Sequence, residues 1–150
     1  MSELTTTIGA VLRQKAAGAV LSIAPDASVY QAIEVMAEKS VGALLVMDGG
    51  QLLGIVSERD YARKVVLQGH SSKDTPVSTI MSTPVLTVTR QHTVGECLRI
   101  ITDKHFRHLA VMEQGAVVGV VSIGDLVNCV ISEQEQTIKH LHAYISGAAS

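Results

Sequence analysis

The sequence predicts an α+β fold: two similar repeats, each ordered strand, helix, strand, strand, helix, docked about a pseudo-twofold axis with helices flanking both ends. Three observations carry this expectation. Residues 21–61 align on residues 86–126 at a constant offset of 65 without a gap, and similarity at a fixed spacing marks a duplicated architecture. Hydrophobic residues make up 47% of the 150 residues and charged residues 17%, with mean hydropathy +0.30, which suits a well-filled core and excludes disorder. The apolar runs 43–47, 52–56, 109–112 and 117–121 are nearly continuous, as in sheets covered on both faces. Identities in register include Leu44/Leu109, Val46/Val111, Met47/Met112, Gly50/Gly115, Gly54/Gly119, Ser57/Ser122 and Asp60/Asp125.

The elements follow in order. Residues 5–14 read as a short helix capped by Thr5 or Thr6. Residues 20–23 and 85–88 are the first strands of the repeats. Ser28 and Thr93 then offer N-caps. Val29, Ala32, Ile33 and Met36 share one helical face, as do Val94, Cys97, Leu98 and Ile101. Asp48-Gly49-Gly50-Gln51 and Glu113-Gln114-Gly115 supply the positive φ that tight hairpins need. Ser57 and Ser122 cap the second helices. The last helix runs on through 132–145, where Val127, Val130, Ile131, Gln134, Ile138, Leu141 and Ile145 form a mostly apolar stripe. That stripe suits a dimer contact or packing on the same chain. Residues 147–150 read as a tail. The expected division is 1–69 for the first helix and repeat, 70–76 (HSSKDTP) as linker, and 77–150 for the second repeat and its long helix.

Composition excludes several function classes. There is no Trp, and only three Tyr and one Phe, too few to stack single-stranded bases. A net charge of −2 and a pI near 6.3 oppose a phosphate-backbone footprint. No run approaches the length of a membrane span, and the start lacks a signal pattern. Two cysteines, Cys97 and Cys129, make no disulfide framework; a cytoplasmic setting is expected. The six histidines, His105 and His108 among them, lack the Cys or carboxylate partners of a metal set. No phosphate-binding P-loop, nucleophile-elbow or H-E-x-x-H motif occurs.

The doubled Gly-apolar-apolar-Ser-x-x-Asp motif, GIVSERD (54–60) and GVVSIGD (119–125), carries the functional signal. Its Gly permits close approach of a backbone or a ligand. Its Ser stands where a helix begins and free N–H groups favour phosphate. Its Asp, one turn on, can accept two hydrogen bonds from a ribose diol. The same spacing also makes a capping box, and the two roles are compatible.

These residues, with Ile80-Met81-Ser82-Thr83-Pro84 and Phe106-Arg107-His108-Leu109-Ala110-Val111, resemble the CBS domain family, named after cystathionine β-synthase. The match covers nearly the whole chain and looks like the stand-alone bacterial tandem pair, or Bateman module. The resemblance implies two clefts that bind adenosine compounds: AMP, ADP, ATP, S-adenosylmethionine, or NAD(H). Carried over by position, the first cleft uses Ile55, Ser57, Arg59, Asp60, Met81, Leu86, Arg107 and His108. The second uses Ala16, Leu21, Gly42, Ala43, Val121, Ser122 and Asp125. Gly42-Ala43-Leu44-Leu45 and Ala110 depart from the family's polar-then-Pro strand entry. Arg59, Arg107 and His108, with Arg63 a turn beyond, make the first cleft the more cationic, so a phosphorylated ligand is expected to bind tighter there.

Three function classes follow: a non-catalytic adenosine-nucleotide sensor, a ligand-free dimeric interaction module, and an enzyme acting on nucleotides. Intact Ser-x-x-Asp in both repeats favours the first. The lack of a nucleophile–base pair disfavours the third. The regulated target is then expected to be a separate, unknown chain, and the protein a homodimer.

Overall fold

The computed structural model describes residues 5–15, 20–104 and 106–146. They part into two compact units, Ala19–Val85 and Met1–Gly18 with Leu86–Ser150.

In the first unit, β1 (Ser22–Ile23) runs parallel to β2 (Ala43–Asp48), and β3 (Gln51–Ser57) returns antiparallel beside β2. The β2–β3 turn places Gly49 and Gly50 at φ 59° and 82°, the left-handed region that glycine favours; the matching turn of the second repeat holds Gln114 at 51° and Gly115 at 80°. Helix α2 (Val29–Lys39) joins β1 to β2. It begins in a reciprocal box: Gln31 N–H donates to Ser28 Oγ at 3.1 Å and Ser28 N–H to Gln31 Oε1 at 3.0 Å. Its buried face, Val29, Ala32 and Met36, closes on Leu44, Val46 and Val56, with Val65, Val77 and Ile80 completing the core. The second helix is short: α3 (Glu58–Tyr61) opens into a wider π-type turn over Ala62–Val66.

The second unit repeats this plan. β4 (Thr87–Val88) lies parallel to β5 (His108–Glu113), and β6 (Ala116–Ser122) antiparallel to β5. Registers match across the repeats: Leu45 faces Ile55 as Ala110 faces Val120. Helix α4 (Val94–Lys104) starts with a Thr93–Glu96 box. Helix α5 (Ile123–Ser146) has 24 residues. The core gathers Val94, Cys97, Ile101, Leu109, Val111, Val121, Leu126 and Cys129.

Helix α1 (Ile8–Lys15) adds Ile8, Val11 and Leu12 to this second core. The sequence grouped this helix with the first repeat, its neighbour in the chain. Backbone pairing explains its place. Ile8 N–H donates to His92 O at 2.8 Å, Gly9 N–H to Arg90 O at 3.0 Å, and Val94 N–H to Thr6 O at 2.8 Å. The first unit makes the same three bonds with a different segment: Val77 to Ala27 O, Ser78 to Pro25 O, and Val29 to Thr75 O. Each repeat is therefore completed by the segment that precedes the other repeat. For that reason the compact units divide at 85/86.

The α1 cap also differs from expectation. Thr7 Oγ1, not Thr5 or Thr6, accepts from Ala10 N–H, at 3.3 Å. Thr6 is engaged elsewhere: its carbonyl accepts from Val94 N–H and its hydroxyl donates to Glu133.

Candidate functional site: the paired Ser-x-x-Asp strand ends

Strand β3 ends at Ser57, which is extended (φ −128°, ψ 164°) and caps α3. Asp60 N–H donates to Ser57 Oγ at 3.1 Å. In return, Asp60 Oδ2 accepts from Ser57 N–H and Ser57 Oγ–H, each at 3.0 Å. Its second oxygen, Oδ1, accepts from Ser82 Oγ–H at 3.3 Å and pairs with Lys64 Nζ at 3.1 Å. Asp60 is the one buried charged residue among those described, and every contact just named offsets the cost of desolvating it. Lys64 is held in turn by Ile80 O at 2.9 Å. A two-bond bridge between Ile55 and Ser82 fixes the 80–82 segment against β3. That bridge needs Gly54: a Cβ there would stand 3.0 Å from Ser82 O and 2.8 Å from Met81 Sδ.

Strand β6 ends at Ser122 in the same way. Asp125 N–H donates to Ser122 Oγ at 3.1 Å, and Asp125 Oδ2 accepts from Ser122 N–H at 2.8 Å. Asp125 has Cys129 where Asp60 has Lys64, one turn on. A cation arrives from α1 instead: Lys15 Nζ lies 2.9 Å from Asp125 Oδ2 and donates to Val120 O at 2.9 Å. The contacts described for the Asp125 carboxylate run through Oδ2. The carboxylate borders a cavity of about 300 Å³ with Val11, Gln14, Lys15, Asn128, Cys129 and Ser132.

Of the residues carried over to the first cleft, Ile55, Ser57, Arg59, Asp60 and Met81 lie in the first unit. Leu86, Arg107 and His108 lie in the second. For the second cleft, Leu21, Gly42 and Ala43 lie in the first unit, and Val121, Ser122 and Asp125 in the second. Within their own units the strand-entry residues border the caps: Gly42 O accepts from Glu58 N–H at 3.0 Å, and Arg107 O from Ile123 N–H at 2.9 Å. Ala16, His105 and the tail 147–150 lie outside the described residues.

Sequence reasoning missed Lys64, Ser82 and Lys15. The Asp60–Lys64 spacing of four on a helix was readable as an ion pair. Nothing in the sequence links Lys15 to Asp125, because the contact depends on where α1 docks.

The wider surroundings offer little reactive chemistry. Burial pushes the Cys97 thiol up to about 11 and also raises that of Cys129, so neither supplies thiolate at neutral pH. No group of three His, Cys, Asp or Glu suited to a metal ion occurs among the described residues. A hollow of about 510 Å³ beside Arg63, Lys64 and His70 excludes Ser57 and Asp60, and Asp74 together with the Asp60–Lys64 pair cancels much of its positive charge. No helix among the described residues is long and apolar enough to cross a membrane.

Comparison with known proteins places the repeats in a family. The chain is 40% identical over 151 residues to the CBS domain-containing protein CBSX3, mitochondrial, of Arabidopsis thaliana, spanning 95% of this chain and 73% of that one. A solved CBS-domain protein from Burkholderia ambifaria MC40-6 shares 45% identity and superposes with TM-score 0.82 over 86% of this chain and 96% of its own. The CBS domain protein PAE2072 from Pyrobaculum aerophilum, solved in complex with AMP, has the same fold at 24% identity and TM-score 0.69, over 79% and 88%. The CBS domain profile matches residues 17–67 and 77–132, one match per repeat; the chain belongs to the CBS domain family and carries the domain as a tandem pair.

Proposed function

We propose that the chain is a non-catalytic sensor of adenosine nucleotides, of the AMP, ADP, ATP or NAD(H) class. The observation that carries this reading is the doubled Ser-x-x-Asp cap, with each carboxylate held in place at a strand end. A ribose diol donates two hydrogen bonds to an acceptor-only group, and Asp60 or Asp125 is such a group. At Asp60 the diol would take over Oδ1 from Ser82 and Lys64, releasing an ammonium to the phosphate. Arg59 on α3 and Arg63 in the π-type turn that follows it add forked donors, and the family resemblance adds Arg107 and His108. For these reasons the first site takes the phosphorylated ligand more tightly. The second, with Lys15 paired to Asp125 and Ile123 and Gly124 where the first has Glu58 and Arg59, suits a less charged moiety. The AMP bound to a protein of the same fold supports this ligand class. A reducing, cytoplasmic setting suits the free thiols Cys97 and Cys129, and the partners are a second copy and a separate regulated chain.

Calorimetry with AMP, ADP, ATP, NAD, NADH and S-adenosylmethionine tests the reading. AMP at a hundred times its Kd should stabilise the fold by about 2.7 kcal/mol. Asp60→Ala should weaken AMP binding more than tenfold and Asp125→Ala less. If Asp125→Ala abolishes binding while Asp60→Ala leaves it intact, the ranking of sites is wrong. If no compound gives heat or a thermal shift, the ligand-free interaction module takes its place.

A further inference from the structure

We propose that α5 binds the α5 of a second copy as a short, parallel, two-stranded coiled coil. The helix carries apolar residues at alternating steps of four and three: Val127, Ile131, Gln134, Ile138, Leu141 and Ile145. In heptad terms Ile131, Ile138 and Ile145 are a positions, and Val127, Gln134 and Leu141 are d positions. The five apolar members are exposed, from 41% at Val127 to 82% at Ile145. Their own unit does not cover them. From α5 that unit's core takes Leu126, Cys129 and Val130, and Glu133 accepts from Thr6. From Gln134 through His142 every residue is exposed. A helical stretch of that length is marginal alone in water, so an exposed Ile and Leu seam on it calls for a partner.

The seam itself selects a second copy. β-Branched Ile at three successive a positions, 131, 138 and 145, with Leu141 at the d position between the last two, favours two parallel strands. Helices α1, α2 and α4 have 8, 11 and 11 residues and spend their apolar faces on the cores of their own units. An identical α5 supplies the same seam in the same register, as a twofold dimer requires. The flanks raise no objection: a parallel pair sets Val130 against Glu135 and Thr137 against His142, with no like charges opposed. Gln134, the single polar d residue, fixes the register.

This inference shares with the proposed function only the second copy as partner, and the two fail separately. Seam variants of the full chain should bind AMP as the wild type does. In sedimentation equilibrium, Ile138→Glu and Leu141→Glu should each weaken self-association at least tenfold. Gln134→Ile should strengthen it, which a misfolded variant would not do. Under mild oxidation Ile131→Cys and Ile145→Cys should each cross-link to the same residue of a second copy, since a parallel seam aligns both ends. A monomeric wild type, or association unchanged in both glutamate variants, overturns the proposal. Failure of both cysteine variants to cross-link overturns the parallel arrangement.

Discussion

Asp60 and Asp125 occupy equivalent positions and keep different company. Asp60 uses both oxygens, on Ser57, Ser82 and Lys64, whereas the contacts described for Asp125, with Ser122 and Lys15, fall on Oδ2. The motif was legible as both a cap and a ribose acceptor, and the structure realises the cap in both repeats. The cations could not be read with equal ease, because one is local and the other comes from a remote helix. A third acidic cap, Glu96, has a pH signature. Thr93 N–H donates to its Oε1 at 2.8 Å, and this bond holds the carboxyl below its usual value. A carboxyl lowered in the folded state contributes stability above its unfolded pKa, and that contribution is lost as pH falls through the folded value. Glu96→Gln keeps a capping-box side chain without the titration. Urea midpoints measured from about pH 6 down to about pH 3 should therefore fall less steeply in the variant than in the wild type. Parallel acid limbs would show that Glu96 does not contribute to the loss.

At the scale of elements, the two motif glycines do one job against different obstacles. Gly54 lets the 81–82 segment pair with β3, and a Cβ would press on Ser82 O at 3.0 Å, a backbone atom fixed by its own bridge. Gly119 lets α1 close over β6, and a Cβ would meet only the tip of Leu12, at 2.8 and 3.0 Å. A side-chain end can rotate away; a bridged carbonyl cannot without moving its segment. Gly54→Ala should thus cost about 1–3 kcal/mol, in the range of overpacked cores, and Gly119→Ala clearly less. Chemical denaturation of the two variants checks the order, and equal losses would mean that Leu12 is as immovable as the backbone. Gly54→Ala should also disturb Ser82, and with it the Oδ1 bond of Asp60. The sequence predicted close approach at both glycines but not what approaches, since that depends on segments distant in the chain.

For the whole molecule, what sequence reasoning captured was local. The duplicated order of strands and helices, the caps at Ser28, Thr93, Ser57 and Ser122, and the hairpin glycines all follow from residues within one repeat. The feature that sequence order does not display is the exchange of leading segments, α1 to the second repeat and 75–82 to the first. No periodicity encodes that exchange, because Ile8, Val11 and Leu12 would suit either core by hydrophobicity alone. What fixes it is the backbone pairing of Ile8 with His92 and Gly9 with Arg90. This exchange predicts a response to truncation that runs against chain order. Ile8 is fully buried, and Val11 and Leu12 nearly so. Loss of each large core side chain costs about 2–5 kcal/mol, against a whole-domain stability of about 5–15 kcal/mol. Removal of residues 1–15 also takes Lys15 from Asp125 and leaves Thr93–Val94 without its pairing strand. Amide hydrogen exchange in the truncated chain should accelerate first in β4, α4, β5 and β6, whose sequence begins some seventy residues downstream of the cut. The adjacent β1, α2, β2 and β3 should keep more of their protection, since their core draws on Val77 and Ile80 instead. Exchange that rises first in β1 and α2 would show that α1 supports its neighbour in sequence rather than the second repeat.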